Sequence, residues 1–183
     1  MTCPVAVLDS CALFPNLLRD TLLSAAEAGL YRVHWSQEIL DGVTRNLIAR
    51  QILTSSKAAY LEEVVKSYFC DALVEVPAEL VFQMTNHEGD RHVLAAAVQA
   101  EAKVIVTFNL KHFSLASTRP WGIEAQHPDL FLLDLLEENR SLMVEVIKEQ
   151  AARLRKPPLS VPELLAGLAK QAPQFVSALR EFL

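Results

Sequence analysis

The chain has 183 residues, 51% apolar and 21% charged, with a net charge of −5. That length and balance exclude a disordered chain and predict one globular domain with at most an appendage, while the negative charge excludes broad electrostatic adhesion to nucleic acid without forbidding a local basic patch. No stretch approaches the roughly 18 consecutive apolar residues of a membrane span. No signal peptide is expected, and Cys3, Cys11 and Cys70 show no paired or zinc-like spacing, so the expectation is a cytoplasmic protein with reduced thiols.

In chain order, "VAVLD" has the β-branched, apolar character of a buried parallel strand that ends on a carboxylate, Asp9. Residues 16 to 28 repeat apolar side chains at helical spacing, and Gly29 is placed to end that helix. "YRVHW" reads as a second strand. Ser36 then caps a helix to about Arg50, with Ile39, Leu40, Val43 and Leu47 on its inner face. Ser55 or Ser56 caps another helix to about Cys70, and "LVEVP" reads as a short extended piece. "GDRHVLAAAVQAEA" is an amphipathic helix opened by acid, followed by the strand "KVIVTF".

Strands alternating with helices predict βαβ units and a parallel sheet, with ligands beyond the strand C-termini. After Pro120 the pattern becomes helical: one long run over residues 129 to 154, a break at Pro157, Pro158 and Pro162, and two short helices to the end. The expected organisation is an α/β body over residues 1–119 and a helical extension over 120–183.

Asp9 ends the first strand, Asp90 opens a helix, and Thr107 and Asn109 follow a third strand. In a parallel sheet all of these fall at one edge. Acidic oxygens from separate elements suit hard cations such as Mg²⁺ or Mn²⁺, and such an ion activates water against a phosphodiester. Each residue also has a plainer reading. Asp90 serves as a first-turn acid favoured by the helix dipole, and Asn109 as a turn residue. Asp9 at the mouth of a buried strand needs a partner or water.

The stretches "VLDSCALFP", "WSQEILDGVTRNL" and "DRHVLAAAVQAEAKVIVTFNLKHF" resemble, in order, the motifs of PIN-domain proteins of the VapC-like toxin type, over residues 5 to 115. The helical C-terminal part also resembles an extension found in one subgroup of these toxins. The resemblance implies a PIN-like three-layer α/β/α sandwich and a metal-dependent endoribonuclease that leaves a 5′-phosphate. It also implies a co-encoded antitoxin partner and a homodimer. By position, it makes Asp9 and Asp90 the metal-holding acids, Asn109 the fourth site residue, and Thr107 the hydroxyl beside it. Ser10, Arg91 and Lys111 are assigned to contacts with the RNA substrate.

One family position departs. Where the pattern has glutamate, this chain has Gly42. Glycine offers no ligand and costs a helix about 1 kcal/mol relative to alanine. Glu38 lies one turn earlier on the same face, but with Cβ atoms about 5–6 Å apart it is an imperfect substitute. Asp41 points roughly 100° away round the helix. The expectation is an impaired nuclease, with a catalytically inactive PIN module that binds RNA or a protein partner as the alternative. A receiver-like signalling domain would need paired acids near its start, and only Asp9 is there.

Other residues carry less. His34, His87, His92, His112 and His127 lack a metal-binding spacing such as H-E-x-x-H, with His92 near the site and His112 and Lys111 placed where a phosphate could be touched. Trp35 and Trp121 read as packing residues. Ser10 has no nucleophile elbow around it, and no glycine loop suited to phosphate is present.

Overall fold

The computed structural model describes residues 3–155 and 158–183. Four strands, β1 (Val5–Leu8), β2 (Arg32–His34), β3 (Val104–Val106) and β4 (Glu124–Gln126), pair in parallel in the order β2-β1-β3-β4. All four residues of β1 are buried, because this strand lies between two neighbours with helices packed against it. That environment selects the continuous apolar run seen in its sequence.

Eleven helices surround the sheet among the described residues: α1 (Ser10–Leu13), α2 (Asn16–Glu27), α3 (Gln37–Ala49), α4 (Ser55–Tyr68), α5 (Ala78–Gln83), α6 (Arg91–Gln99), α7 (Leu115–Thr118), α8 (Pro128–Glu138), α9 (Arg140–Arg153), α10 (Val161–Leu168) and α11 (Pro173–Leu179). The result is an α/β sandwich with helices added at its C-terminal end. The helix α6 packs on β1 and β3, and α2 packs on β2.

Local chemistry explains most boundaries. Gly29 ends α2 at φ 80°, with Gly29 N–H donating to Ala26 and Leu30 N–H to Ala25, a pairing that needs a left-handed residue at that point. Ser36 caps α3 by accepting from Ile39 N–H, and the inner face is the expected Ile39, Leu40, Val43 and Leu47. The cap of α4 is Thr54 rather than Ser55 or Ser56; its hydroxyl accepts from Lys57 N–H. The expected long helix is two, because Asn139 leaves helical geometry (φ −145°, ψ 78°) and its side chain accepts from Leu142 N–H to start α9. Of the expected proline break, Pro157 lies outside the described residues. Trp35 is a core residue, whereas Trp121 is partly exposed.

The sheet reaches further along the chain than residue 119. That position falls in a 3₁₀ turn, Arg119–Trp121, and β4 beyond it pairs with β3. The short edge strand "EAQ" is polar and only half-buried, so it carries no β-branched signal. The helices α1, α5 and α7 escape periodicity analysis because each is six residues or shorter.

The C-terminal helices are bonded into the α/β body. Gln150 on α9 is fully buried, accepts from the Thr21 hydroxyl at 2.8 Å and donates to the Leu17 carbonyl. Arg153 reaches Ser24 and Glu27 on the same helix, α2. Phe131 on α8 meets Tyr31 edge to face.

Within the extension, the buried Asp129 of α8 serves as a surrogate cap for α11, whose own N-cap, Ala172, has no hydrogen-bonding side chain. Asp129 accepts from the backbone N–H groups of Gln174 (3.1 Å) and Phe175 (2.8 Å), and from the Gln174 side chain. Replacing Asp129 by alanine strands two helix-end donors and is expected to cost about 2 kcal/mol, or roughly 4–8 °C in Tm. A thermal melt of the variant against wild type measures this directly, and an unchanged Tm would refute the capping role.

Candidate active site

Asp9 follows the last residue of β1. Its backbone N–H donates to Val106, which ties it to the end of β3, and its carbonyl accepts from Ala12 and Leu13 to start α1. The backbone therefore turns sharply, and the side chain is left in the interior at 2% exposure. Its partners are all neutral. Oδ2 accepts from the Thr107 hydroxyl at 2.7 Å and the Cys11 thiol at 3.0 Å, while Ser10 Oγ lies 3.3 Å from Oδ1. Among the described residues no lysine or arginine pairs with Asp9 or with Asp90.

Thr107, fully buried, has a second task. Its Oγ1 accepts from Asn109 N–H at 3.0 Å, which shapes the turn after β3. Cys11 completes the same cluster by accepting from Phe108 N–H at 3.3 Å. Burial, and then the charge of Asp9, pushes the Cys11 thiol up from 9.0 to about 12. It therefore stays protonated at neutral pH and can donate to Asp9. Sequence reading missed Cys11 as a site residue; its only signal was its place two residues after Asp9.

Two outcomes follow from the state of Cys11. A thiol reagent at about pH 8 is expected to modify exposed Cys3 and Cys70 rapidly and Cys11 slowly in the folded protein. The stability this thiol supports is complete below its unfolded value of 9.0 and is lost as pH climbs towards about 12. Denaturant midpoints should fall between about pH 8 and pH 10.5, and fall less in Cys11→Ser. Equal slopes for the two proteins would refute this.

Asp90 ends a 3₁₀ turn, Glu88–Asp90, and opens α6. Because α6 returns to β3 through a short turn, its N-terminus lies at the same sheet edge as the C-terminal end of β1. Asp90 Oδ2 is 2.5 Å from His112 Nδ1, and the His112 ring stacks on His87 at 4.0 Å and 11°. Two backbone bonds, His87 N–H to the His112 carbonyl and Asp90 N–H to the His87 carbonyl, hold this corner with a third from the Asn86 side-chain amide to the Asp90 carbonyl.

The two acids are linked through the turn after β3. Asp9 accepts from Thr107, Thr107 accepts from Asn109 N–H, the Asn109 carbonyl accepts from His112 N–H at 2.8 Å, and the His112 ring meets Asp90. This path places both carboxylates around one turn.

The PIN domain family model matches residues 5–111, and that of the VapC50 C-terminal domain matches residues 128–181. The chain belongs to the PIN-domain family. With the second match it is a VapC-like PIN protein carrying a C-terminal extension. The Mycobacterium tuberculosis (strain ATCC 25618 / H37Rv) protein named "Putative ribonuclease VapC50" is 45% identical over 102 residues, covering 56% of this chain. The matched stretch spans 60% of that relative's length. No solved structure matches the chain.

At this sheet edge, the structure distributes the sequence candidates unevenly. Ser10, Thr107 and Asn109 gather at Asp9 through side-chain or backbone bonds. Gly42 on α3 is close by: a Cβ built there would lie 3.1 Å from Ser10 Cβ and 3.3 Å from Ser10 Oγ. Position 42 thus abuts the residue next to Asp9. Glu38 does not join either acid by a hydrogen bond; its carboxylate is largely exposed and 3.8 Å from His92 Nδ1. Lys111 is exposed in the turn after β3, and Arg91 Nε donates to the Asn86 carbonyl.

The histidines differ from the sequence reading. Their linear spacing shows no ligand pattern, yet the fold brings His87, Asp90 and His112 together with ligand atoms within 4.8 Å of one another. His112 is engaged by Asp90 rather than left facing a phosphate. Residues 25 apart met because the turn after β3 bonds to the loop before α6, a pairing that linear spacing does not encode.

Proposed function

We propose that this PIN protein is a Mg²⁺- or Mn²⁺-dependent endoribonuclease toxin of the VapC type, weakened by Gly42. The observation that carries this reading is the buried carboxylate of Asp9, bonded among the described residues only by neutral donors and joined to Asp90 through the turn after β3. A buried charge without a cationic partner is costly, and an oxygen-rich set of this kind suits a hard divalent ion. The donor set therefore fits the cation that the family implies.

Asp9 and Asp90 would hold the ion. When bound, it would supply a nucleophilic water at neutral pH and offset charge on the phosphodiester. The chain's own residues do the positioning. Thr107 and Cys11 fix the rotamer of Asp9 from one side. Thr107 also pins Asn109, whose side chain makes no hydrogen bond among the described residues and remains available to orient water or substrate. Ser10, Arg91 and Lys111 surround this edge as RNA contacts, with Lys111 the most exposed of the three.

Two carboxylates hold a divalent ion less firmly than three, so Gly42 also favours a second reading, an inactive PIN module that binds RNA or a protein. The partner proposed in either case is an antitoxin whose segment covers the acidic cleft with a basic side chain; the chain itself is proposed to be a homodimer. Among the described residues no helix is long and apolar enough to cross a membrane.

The test is cleavage of a fluorescent single-stranded and looped RNA by the purified chain in Mg²⁺ and in Mn²⁺. Metal-dependent products with a 5′-phosphate are expected. No cleavage at any metal concentration, together with retained RNA binding, would select the inactive module.

A further inference from the structure

We propose that His87, Asp90 and His112 form a second cation site, for a borderline ion of the Zn²⁺ class, which competes with the acid cleft for Asp90. Its regulatory half rests on the reading that Asp90 serves the catalytic ion; the binding half does not.

Ligand chemistry separates the two sites. Around Asp9 the donors are carboxylate, hydroxyl and thiol groups on a buried strand end. At the other end of the hydrogen-bonded path the donors are two imidazoles and one carboxylate, with ligand atoms within 4.8 Å. Imidazole nitrogen suits Zn²⁺, Ni²⁺ or Co²⁺, whereas Mg²⁺ takes oxygen and keeps its waters. Zinc bonds of about 2.0–2.2 Å to nitrogen and oxygen put neighbouring ligands of a tetrahedral site roughly 3.5 Å apart, so the cluster needs a contraction on the order of 1 Å.

The scaffold and the side chains divide the work. The His87–His112 backbone bond and the Asp90–His87 bond hold the three α-carbons in place without any ion. The rings are stacked at 4.0 Å and 11°. An imidazole lone pair lies in the ring plane, so two nearly parallel rings cannot both address one ion. Uptake therefore swings one ring out of the stack. His87 is the ring free to move: it is exposed, and among the described residues its side chain's only hydrogen bond is the one Nδ1 accepts from Gly89 N–H at 3.2 Å. His112 and Asp90 are already in contact and supply the fixed half. Three ligands leave a fourth position for water or a phosphate oxygen.

An ion in this trio engages an oxygen of Asp90 and holds that carboxylate at the histidines, where it already lies against His112. The acid cleft is then left with the charge of Asp9, the neutral Asn109 and no second charge, since position 42 supplies none. A chain with glutamate there would tolerate the loss better, so Gly42 makes this copy more sensitive to the competing ion.

The test uses the full chain in a Cys3→Ser, Cys70→Ser background, which removes the exposed thiols as zinc ligands. Zinc chloride alone is titrated against a chromophoric chelator, and histidine ring resonances are followed by NMR. One equivalent of Zn²⁺ is expected, with the His87 and His112 resonances moving together, and His87→Gln weakening uptake at least tenfold. RNA cleavage in Mg²⁺ by the same background protein should fall as this site fills, and His87→Gln should keep its cleavage at that zinc concentration. Zinc uptake unaltered by His87→Gln, or resonances of His87 and His112 that do not move, would overturn the site. Zinc uptake that depends on His87 in a chain inert towards RNA would uphold the site and overturn the nuclease reading instead. Cleavage unaffected by zinc at full occupancy would overturn the competition for Asp90.

Discussion

Asp9→Asn is expected to lower metal-dependent RNA cleavage by at least about 100-fold while leaving the fold intact. Loss of an outer partner of a metal ligand already costs about 10–100-fold, and this change removes a proposed ligand's charge itself. The substitution is nearly isosteric, and the Asn amide can present its oxygen to Thr107 and Cys11, which donate to Oδ2 in the wild type. In the absence of metal the variant should melt at or above the wild-type temperature, because a buried carboxylate with only neutral partners is no longer held out of water. Added Mn²⁺ should raise the wild-type Tm through binding to the native state and leave that of Asp9→Asn unmoved. Kinetics and melts together decide the matter. A variant that still cleaves within tenfold of wild type, or whose Tm responds equally to Mn²⁺, would show that Asp9 does not hold the ion.

The second large effect is a gain. Gly42→Glu is expected to reduce the Mn²⁺ needed for half-maximal cleavage by about tenfold or more, the scale on which coordination contacts alter metal affinity. Position 42 sits on α3 against Ser10, the neighbour of Asp9, so a carboxylate there starts from the right place. The added Cβ makes a tight contact at 3.1 Å, which a shift of Ser10 by a few tenths of an ångström relieves. Replacing a mid-helix glycine also recovers roughly 0.5–1 kcal/mol of helix propensity, which opposes that strain. Gly42→Gln separates the causes, because it has the same packing without the charge. Gain in Glu but not in Gln supports the missing-acid reading. Equal gain in both would assign the effect to helix stability, and no gain in either would free Gly42 of responsibility for a weak site.

Much of this was legible in the chain. The run "VAVLD" announced a buried strand ending in a charge, and the structure buries that strand on both sides. The cap and inner face of α3 were written in Ser36 and its i, i+3, i+4 apolar pattern. Other features were hidden for definable reasons. Edge strand β4 has three residues, two of them polar, and is held by backbone pairing to β3, so no side-chain pattern marks it. The division between α8 and α9 depends on one asparagine choosing its own hydrogen bond over the helix. Thr107 was read as the hydroxyl beside Asn109, and its bonds to Asp9 and Asn109 became visible only in the folded chain.

By itself, the sequence determined which residues carry charge at the strand and helix ends, the alternation that makes a parallel sheet, and the lack of an acid at position 42. These are local properties, set by side-chain type and spacing along the chain. Tertiary structure alone decided that Cys11 would be a proton donor to Asp9, that Gln150 would tie the extension to α2, and that His87 and His112 would stack beside Asp90. Each of these depends on which surfaces the folded backbone brings within about 3–4 Å, the range over which hydrogen bonds and ring contacts act. For the histidines no one-dimensional spacing encodes that proximity, because it arises only when the turn after β3 bonds to the loop before α6.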